Sequence, residues 1–323
     1  MNKNIWQNKW LVGVVIFSAV SLVITAVLRL LTPQETTVPQ TELVTTNYTG
    51  DASVFNNIRF VGSPPAAVDS LPIAIVEPSQ TTMEYVRTQL IDQRGLEPVA
   101  GSEGLWRSAE FELSYSEYFD RYDFYSLYIP EEIVIADTNL AIDNAQEFIN
   151  EVFPNLDLVV QRENILYYDG LTELDPTDRA NAVVMEAPFV YTIENIPVYL
   201  GHDQLAPLTI MINGQHEVQK VSFKPEFFSF VTTSQKLPLV DLAVAIDNIN
   251  NNQASIISAG SEQGGTFSLA EIDSGELNEV RIEYRADLES GAVYPFYRFS
   301  GELITSGQQT IKAQIITPAV KTR

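Results

Sequence analysis

The stretch from Trp10 to Leu31, WLVGVVIFSAVSLVITAVLRLL, limits what this chain can be more than any other feature. Between Leu11 and Leu28 there is no charge, and twelve residues are Leu, Ile, Val or Phe. As a helix rising about 1.5 Å per residue, that run spans ~27 Å, close to the hydrocarbon thickness of a bilayer. Trp6 and Trp10 stand at one edge, where amphipathic rings favour the headgroup level. Lys3 and Lys9 precede the span and only Arg29 lies close behind it, so the positive-inside rule puts the N-terminus in the cytoplasm and all that follows Leu31 outside. A cleaved signal peptide is the rival reading. It expects a shorter apolar core and a small-x-small cleavage site, and VITAVLRLLT offers none. With no cysteine in the chain, a lipoprotein anchor is excluded. Residues 10–31 therefore read as a retained single-pass anchor.

Residues 1–31 carry Lys3, Lys9 and Arg29 and no acid, which leaves 16 basic against 42 acidic residues beyond Leu31, a net charge of −26. Such a surface repels nucleic acid and anionic headgroups; it suits cationic partners, or simply keeps the domain soluble. Without disulfides the domain must rest on its core, and 45% hydrophobic residues provide one.

Along the chain, residues 1–9 read as a cytoplasmic tail and 32–53, rich in Thr, Pro and Gln, as an extended spacer. Three amphipathic helices follow. The first, from about Thr82 to Arg94, starts at a capping box of Thr81 and Glu84 and stops at Gly95. The second runs from about Thr138 to Phe153, with Ala141, Ala145, Phe148 and Val152 on its apolar face. The third, from about Leu239 to Asn251, presents Leu239, Leu242, Ile246 and Ile249 and frays out in NINNN. Most of the rest alternates as strands. LTIMINGQHEVQKVSF reads as a hairpin with a type I′ turn at Asn213-Gly214, and residues from Glu279 to Val320 as a meander. The expected fold class is α+β, with helix-plus-antiparallel-meander units at 54–135, 136–236 and 237–323. The tetrapeptide AGSE recurs at Ala100–Glu103 and Ala259–Glu262, in register with the first and third helices, a sign of repetition.

NLAIDNAQEFINEVF and LVDLAVAIDNINNN, each leading into strands, together with the closing VYPFYRFSGELITSGQQTIKAQIITPAV, resemble the PepSY-type and YycH/YycI-type extracytoplasmic proteins of bacteria. The similarity covers the last two-thirds of the chain, by pattern and not by motif. It implies an anchored ectodomain that binds another envelope protein, such as a sensor kinase, or restrains an enzyme, with no catalytic centre and no cofactor. No motif residue carries over from it.

The residues themselves offer few catalytic signatures. Two histidines, His202 and His216, without HExxH or cysteines, make a zinc site unexpected. AGSEG around Ser102 lies after a helix and before a strand, the inverse of a nucleophile elbow. Asp169, Glu173, Asp175 and Asp178 could supply oxygen ligands to calcium, though not at EF-hand spacing; a solvated acidic loop is the simpler reading. The segment from Phe111 to Tyr128 holds eight aromatics. Its Tyr115, Tyr118, Tyr122 and Tyr125 could stack against sugars or a partner's side chains, while the plainer alternative is that they are the sheet's own core and edge. Three functions stay open: a non-catalytic regulator or scaffold that binds an envelope protein, a carbohydrate or peptidoglycan binder, and a carboxylate-dependent hydrolase of unrecognised type. The anchor predicts that the full chain stays in the membrane pellet through carbonate washing and keeps residues 1–31; a mature N-terminus near Thr32 would contradict it.

Overall fold

The computed structural model describes residues 54–65, 68–171, 174–201, 206–260, 269 and 271–320, all within the unit Pro39–Arg323. The expected membrane span at 10–31 lies outside the described residues, as do the cytoplasmic tail and all of the spacer. Among the described residues no helix is long and apolar enough to cross a membrane.

Sheet dominates. The first strands are β1 (Val54–Phe55), β2 (Ile58–Phe60), β3 (Ser70–Pro78), β4 (Glu97–Pro98), β5 (Leu105–Arg107), β6 (Phe111–Ser116) and β7 (Arg121–Ser126). The middle ones are β8 (Leu158–Val160), β9 (Leu166–Tyr168), β10 (Val184–Ile193), β11 (Ile196–Leu200), β12 (Leu208–Asn213) and β13 (Val218–Phe223). The last are β14 (Phe228–Pro238), β15 (Ser255–Gly260), β16 (Glu271–Asp287), β17 (Ala292–Thr305) and β18 (Thr310–Pro318). Among the described residues three α-helices, α1 (Met83–Arg94), α2 (Thr138–Val152) and α3 (Leu242–Asn250), cover the faces.

The strands join by antiparallel ladders that run from β4 through β5, β6, β7, β13 and β12 to β10. A second antiparallel run links β16, β17, β18 and β15, and β3 pairs with both β17 and β14. The two runs meet where β11, hairpinned to β10, lies parallel to β16. β1 and β2 also pair parallel to β16, so the expected purely antiparallel meanders need correcting at this strand. The reason is distance in sequence: β1 and β2 come from the start of the domain and can reach a strand near its end in either direction, whereas short hairpins force antiparallel pairing.

Helix α1 begins where Thr82 accepts a 3.2 Å hydrogen bond from the Tyr85 N–H, and it ends at Gly95 with φ +62°. The expected cap at Thr81 is one residue early, because the buried Thr81 hydroxyl donates to the Pro154 carbonyl at the end of α2. Asp137 caps α2 by accepting from the Asn139 and Leu140 N–H groups at 2.9 and 3.1 Å. Ala141, Ala145, Phe148, Ile149 and Val152 bury the α2 stripe in the larger core, against Leu113, Phe124, Ile210 and Phe223 from the sheet. Burial holds the Tyr191 phenol in that core up at about 12, and its oxygen accepts a 3.3 Å bond from the Phe228 N–H, fastening β14.

Helix α3 starts at Leu242, not Leu239. Leu239 and Val240 are spent on tertiary pairing: Leu239 bridges to Val320 and donates to the Asp69 carbonyl at 3.0 Å, and the Val240 N–H reaches Ala319 at 2.8 Å. The centre of the buried face is Ala245 and Ile249; Leu242 and Ile246 flank it half-buried. Beneath them lie Tyr297 and Phe299 of β17, with the Tyr297 hydroxyl donating to the Val240 carbonyl at 2.9 Å. The NINNN run does more than fray. Asn250 clamps β2 through both its amide atoms at 2.9 Å, and the Asn252 side chain accepts from the Phe55 N–H of β1 at 2.9 Å.

The β12–β13 connection is not the expected type I′ turn. Asn213 accepts from the Gln215 and Glu217 N–H groups through its side-chain oxygen, both at 2.9 Å, and His216 takes the left-handed position at φ +63°. This is the three-residue hairpin with a following bulge. Gly214 is there for closeness: a Cβ would stand 1.7 Å from the Ile133 carbonyl oxygen. Ile249, 0% exposed, predicts a loss of about 2–5 kcal/mol for Ile249→Ala in a denaturant titration. Ile246→Ala should lose less, and the exposed Asp247→Ala should stay within about 0.5 kcal/mol of the parent.

Candidate functional site

Where α2 crosses the end of β6, β7 and β13, the helix and sheet leave a groove of about 530 Å³. Its floor is aromatic, with half-buried Phe111 uppermost and the core rings of Phe124 and Phe148, 2% and 9% exposed, beneath it. Phe111 of β6 and Phe124 of β7 stack at 5.4 Å, and Phe124 meets Phe148 of α2 at 6.2 Å. The rings converge because alternation in the strands sends Phe111 and Phe124 to the helix-facing side, while α2 turns Phe148 down onto them. The rim is acidic. Glu147 and Glu151, one turn apart on α2, stand with Glu110 before β6 and Glu217 before β13, all four exposed. Arg94, the last residue of α1, is the one cation lining it among the described residues. It lies 3.6 Å from Glu151, with its guanidinium 5.5 Å from the Phe111 ring and 6.0 Å from that of Phe148. Tyr128, Asn144 and Gln219 complete the walls, and the Asn144 amide is tied to the His216 carbonyl at 2.9 Å. Leu127, Tyr128 and Ile129, 40%, 57% and 72% exposed, continue the apolar surface beyond the groove. Chemically the groove offers apolar contact and negative charge. Among the described residues no histidine lines it.

The four tyrosines singled out in the sequence do not form one platform. Tyr115 and Tyr122 face each other across β6 and β7 at 4.7 Å on the helix-facing side, where Tyr122 also stacks on Phe223 at 5.5 Å. Tyr125 points to the opposite face, beside Lys220 at 5.1 Å. Tyr118 sits at the β6–β7 turn, 89% exposed, edge-on to the 61%-exposed Phe119 at 4.8 Å. A 2.8 Å bond to the Asp120 carboxylate raises the Tyr115 phenol, and burial followed by the Asp123 charge raises that of Tyr125. Asp123, 6% exposed, accepts a 2.5 Å bond from Ser222 and faces Arg121 at 3.1 Å and Lys220 at 3.4 Å, which makes it a cross-strand tie with its charge already answered.

In the acidic loop, Asp178 spends one oxygen on the Ala180 and Asn181 N–H groups and the Asn181 amide, at 2.9 to 3.1 Å. The Asp169 N–H donates to the Asp175 carbonyl at 3.1 Å, and Glu173 lies outside the described residues. Among the described residues no three acidic or histidine side chains converge as a cation site. His202 is also outside the described residues, and His216 serves the hairpin turn.

One buried ionic group stands apart from the groove. Glu283 meets Arg285 and Arg298 at 2.5 Å each, and both guanidinium groups lie against the Tyr199 ring, at 4.7 and 4.5 Å. Gln161 donates to the Tyr199 hydroxyl, and Arg285 donates to the Gly201 carbonyl at 3.0 Å. Desolvation lowers the Arg285 pKa, and the Glu283 charge opposes that shift. With both Glu283 oxygens engaged, the group sutures β11, β16 and β17.

The sequence matches no protein-family model and no curated protein. Among solved structures, the chain is similar to YycH from Bacillus subtilis at 11% identity and a TM-score of 0.38, covering 78% of this chain and 53% of that one. The chain thus spans about half the length of that protein. Within the aromatic segment, the placement predicts opposite results for two truncations. Tyr118→Ala should leave stability within about 0.5 kcal/mol, while Tyr122→Ala should lose about 2 kcal/mol or more in thermal or denaturant unfolding.

Proposed function

We propose that this chain is an extracytoplasmic, non-catalytic binding protein, held at the membrane by residues 10–31, whose ectodomain docks another envelope protein as a regulator or scaffold. The observation that carries this reading is the groove between α2 and the sheet, with Phe111, Phe124 and Phe148 as its floor and four glutamates on its rim. An apolar floor inside a charged rim is how protein-docking surfaces are built, with desolvated rings supplying affinity and the rim supplying partner choice. The exposed Leu127–Tyr128–Ile129 strip extends the contact area beyond what a small molecule would need. A sugar platform has less support, because the tyrosines divide between two faces and a turn.

A photo-crosslinking residue placed at Tyr128, and separately at Leu288 in the β16–β17 turn, tests the reading in intact membranes. Both positions are exposed, at 57% and 49%. The expected result is a discrete adduct of one size from position 128, absent at 288 and lost when Phe124 is replaced by Ala in a chain that still melts cooperatively. Equal labelling at both positions, or none at 128, would sink it.

A further inference from the structure

We infer that the groove takes an arginine side chain presented by the partner protein. The inference rests on the docking role proposed above and deepens it by naming the chemistry recognised. The protein already contains a template for the interaction. Arg94 lies over the rings of Phe111 and Phe148 at 5.5 and 6.0 Å while its guanidinium faces Glu151 at 3.6 Å. Arg94 thus shows the kind of contact this groove supports: a guanidinium over phenyl rings with a carboxylate close by.

That internal cation leaves three of the four rim carboxylates unanswered. Among the described residues, Glu110 and Glu147 have no ion-pair partner, and Glu217 is contacted only by Asn213, whose amide stands 3.3 Å from its carboxylate. The rim therefore holds an excess of negative charge beside an apolar floor. An ordinary solvated acidic surface lacks that floor, and an ordinary hydrophobic patch lacks that rim. The combination selects a side chain that is charged and has flat, weakly hydrated faces. Arginine meets both demands; the ammonium of lysine is compact and strongly hydrated, so it should answer the rim and gain less from the floor. Flanking aliphatic residues on the partner would settle on Tyr128 and its exposed neighbours.

The test uses the full chain in a non-ionic detergent and three dye-labelled probe peptides, Ac-Gly-Leu-X-Leu-Gly-amide, with X as arginine, lysine or citrulline. Citrulline keeps the planar shape of arginine and removes its charge. Fluorescence anisotropy, corrected for binding to empty micelles, should show the arginine peptide binding about tenfold or more tightly than the citrulline peptide, with lysine between them. Glu110→Gln combined with Glu147→Gln, both on exposed positions, should erase most of that preference, leave citrulline binding unchanged and leave the melting temperature where it was. Equal affinity for arginine and citrulline, an undiminished preference in the double variant, or no binding of any peptide would overturn the inference. If the peptides fail while position 128 still gives its adduct, the docking role stands and the arginine chemistry falls. If the adduct is missing, the docking role itself is lost.

Discussion

Helix α2 is held on the sheet by a stripe that leaves almost no slack: Ala141, Ala145 and Ile149 are all 0% exposed, and Phe148 sits just beside them over Phe124. The small alanines let the helix backbone approach the strands, and the larger side chains lock its height and rotation. The same contact has a second consequence. Because the stripe is fully occupied, Glu147 and Glu151 must face outward along the open flank, where they form one side of the groove's rim while Phe148 joins its floor. Fold and candidate site thus share one element. Anything that loosened α2 would unseat the core and dissolve the groove together.

A second interaction keeps the remote half of the sheet in register with this one. β11 meets β16 in a short parallel stretch, a weaker join than the long antiparallel ladders on either side. The Glu283, Arg285 and Arg298 group, closed by Tyr199, sits at that join. Buried ion pairs seldom add stability against an apolar replacement, yet removing one partner typically costs about 3–5 kcal/mol because a charge is left without its counterpart. At this position the group ties Tyr199 of β11 to Glu283 and Arg285 of β16 and Arg298 of β17. Asn250 at the end of α3 and Asn252 just beyond it tie down β2 and β1, where a few polar bonds replace the long ladder such short strands cannot make.

Much of the local structure was legible in the sequence. Period and caps located α1 and α2 within a residue or two, since their stripes and their Asp137 and Gly95 boundaries are written in adjacent residues. The start of α3 was not, because Leu239 and Val240 belong equally well to a helical stripe and to a bridge; only the positions of Asp69, Val320 and Ala319 decide between them. Asn213-Gly214 signalled a turn correctly and its type incorrectly, for the glycine answers the approach of Ile133 and not a left-handed backbone. The groove was legible only in part. The aromatic segment from Phe111 to Tyr128 supplies two floor rings and a wall, but its spacing marks the tyrosines as readily as the phenylalanines. Phe148, Glu147 and Glu217 come from separate segments that only the folded sheet brings together. Glu147 and Glu151, one turn apart beside the apolar stripe of α2, were the signal available in the sequence.

The groove exists before any partner arrives, because the helix on its flank is a core element. Native-state amide hydrogen exchange on the full chain, followed by mass spectrometry, tests it most directly. The α2 amides around Ala145 and Ile149 should exchange only through global unfolding, with the same free energy and denaturant dependence as the amides of β12 and β10. If α2 instead exchanged through a local opening while those strands stayed protected, the wall would be a mobile flap, and a preformed docking groove would be contradicted.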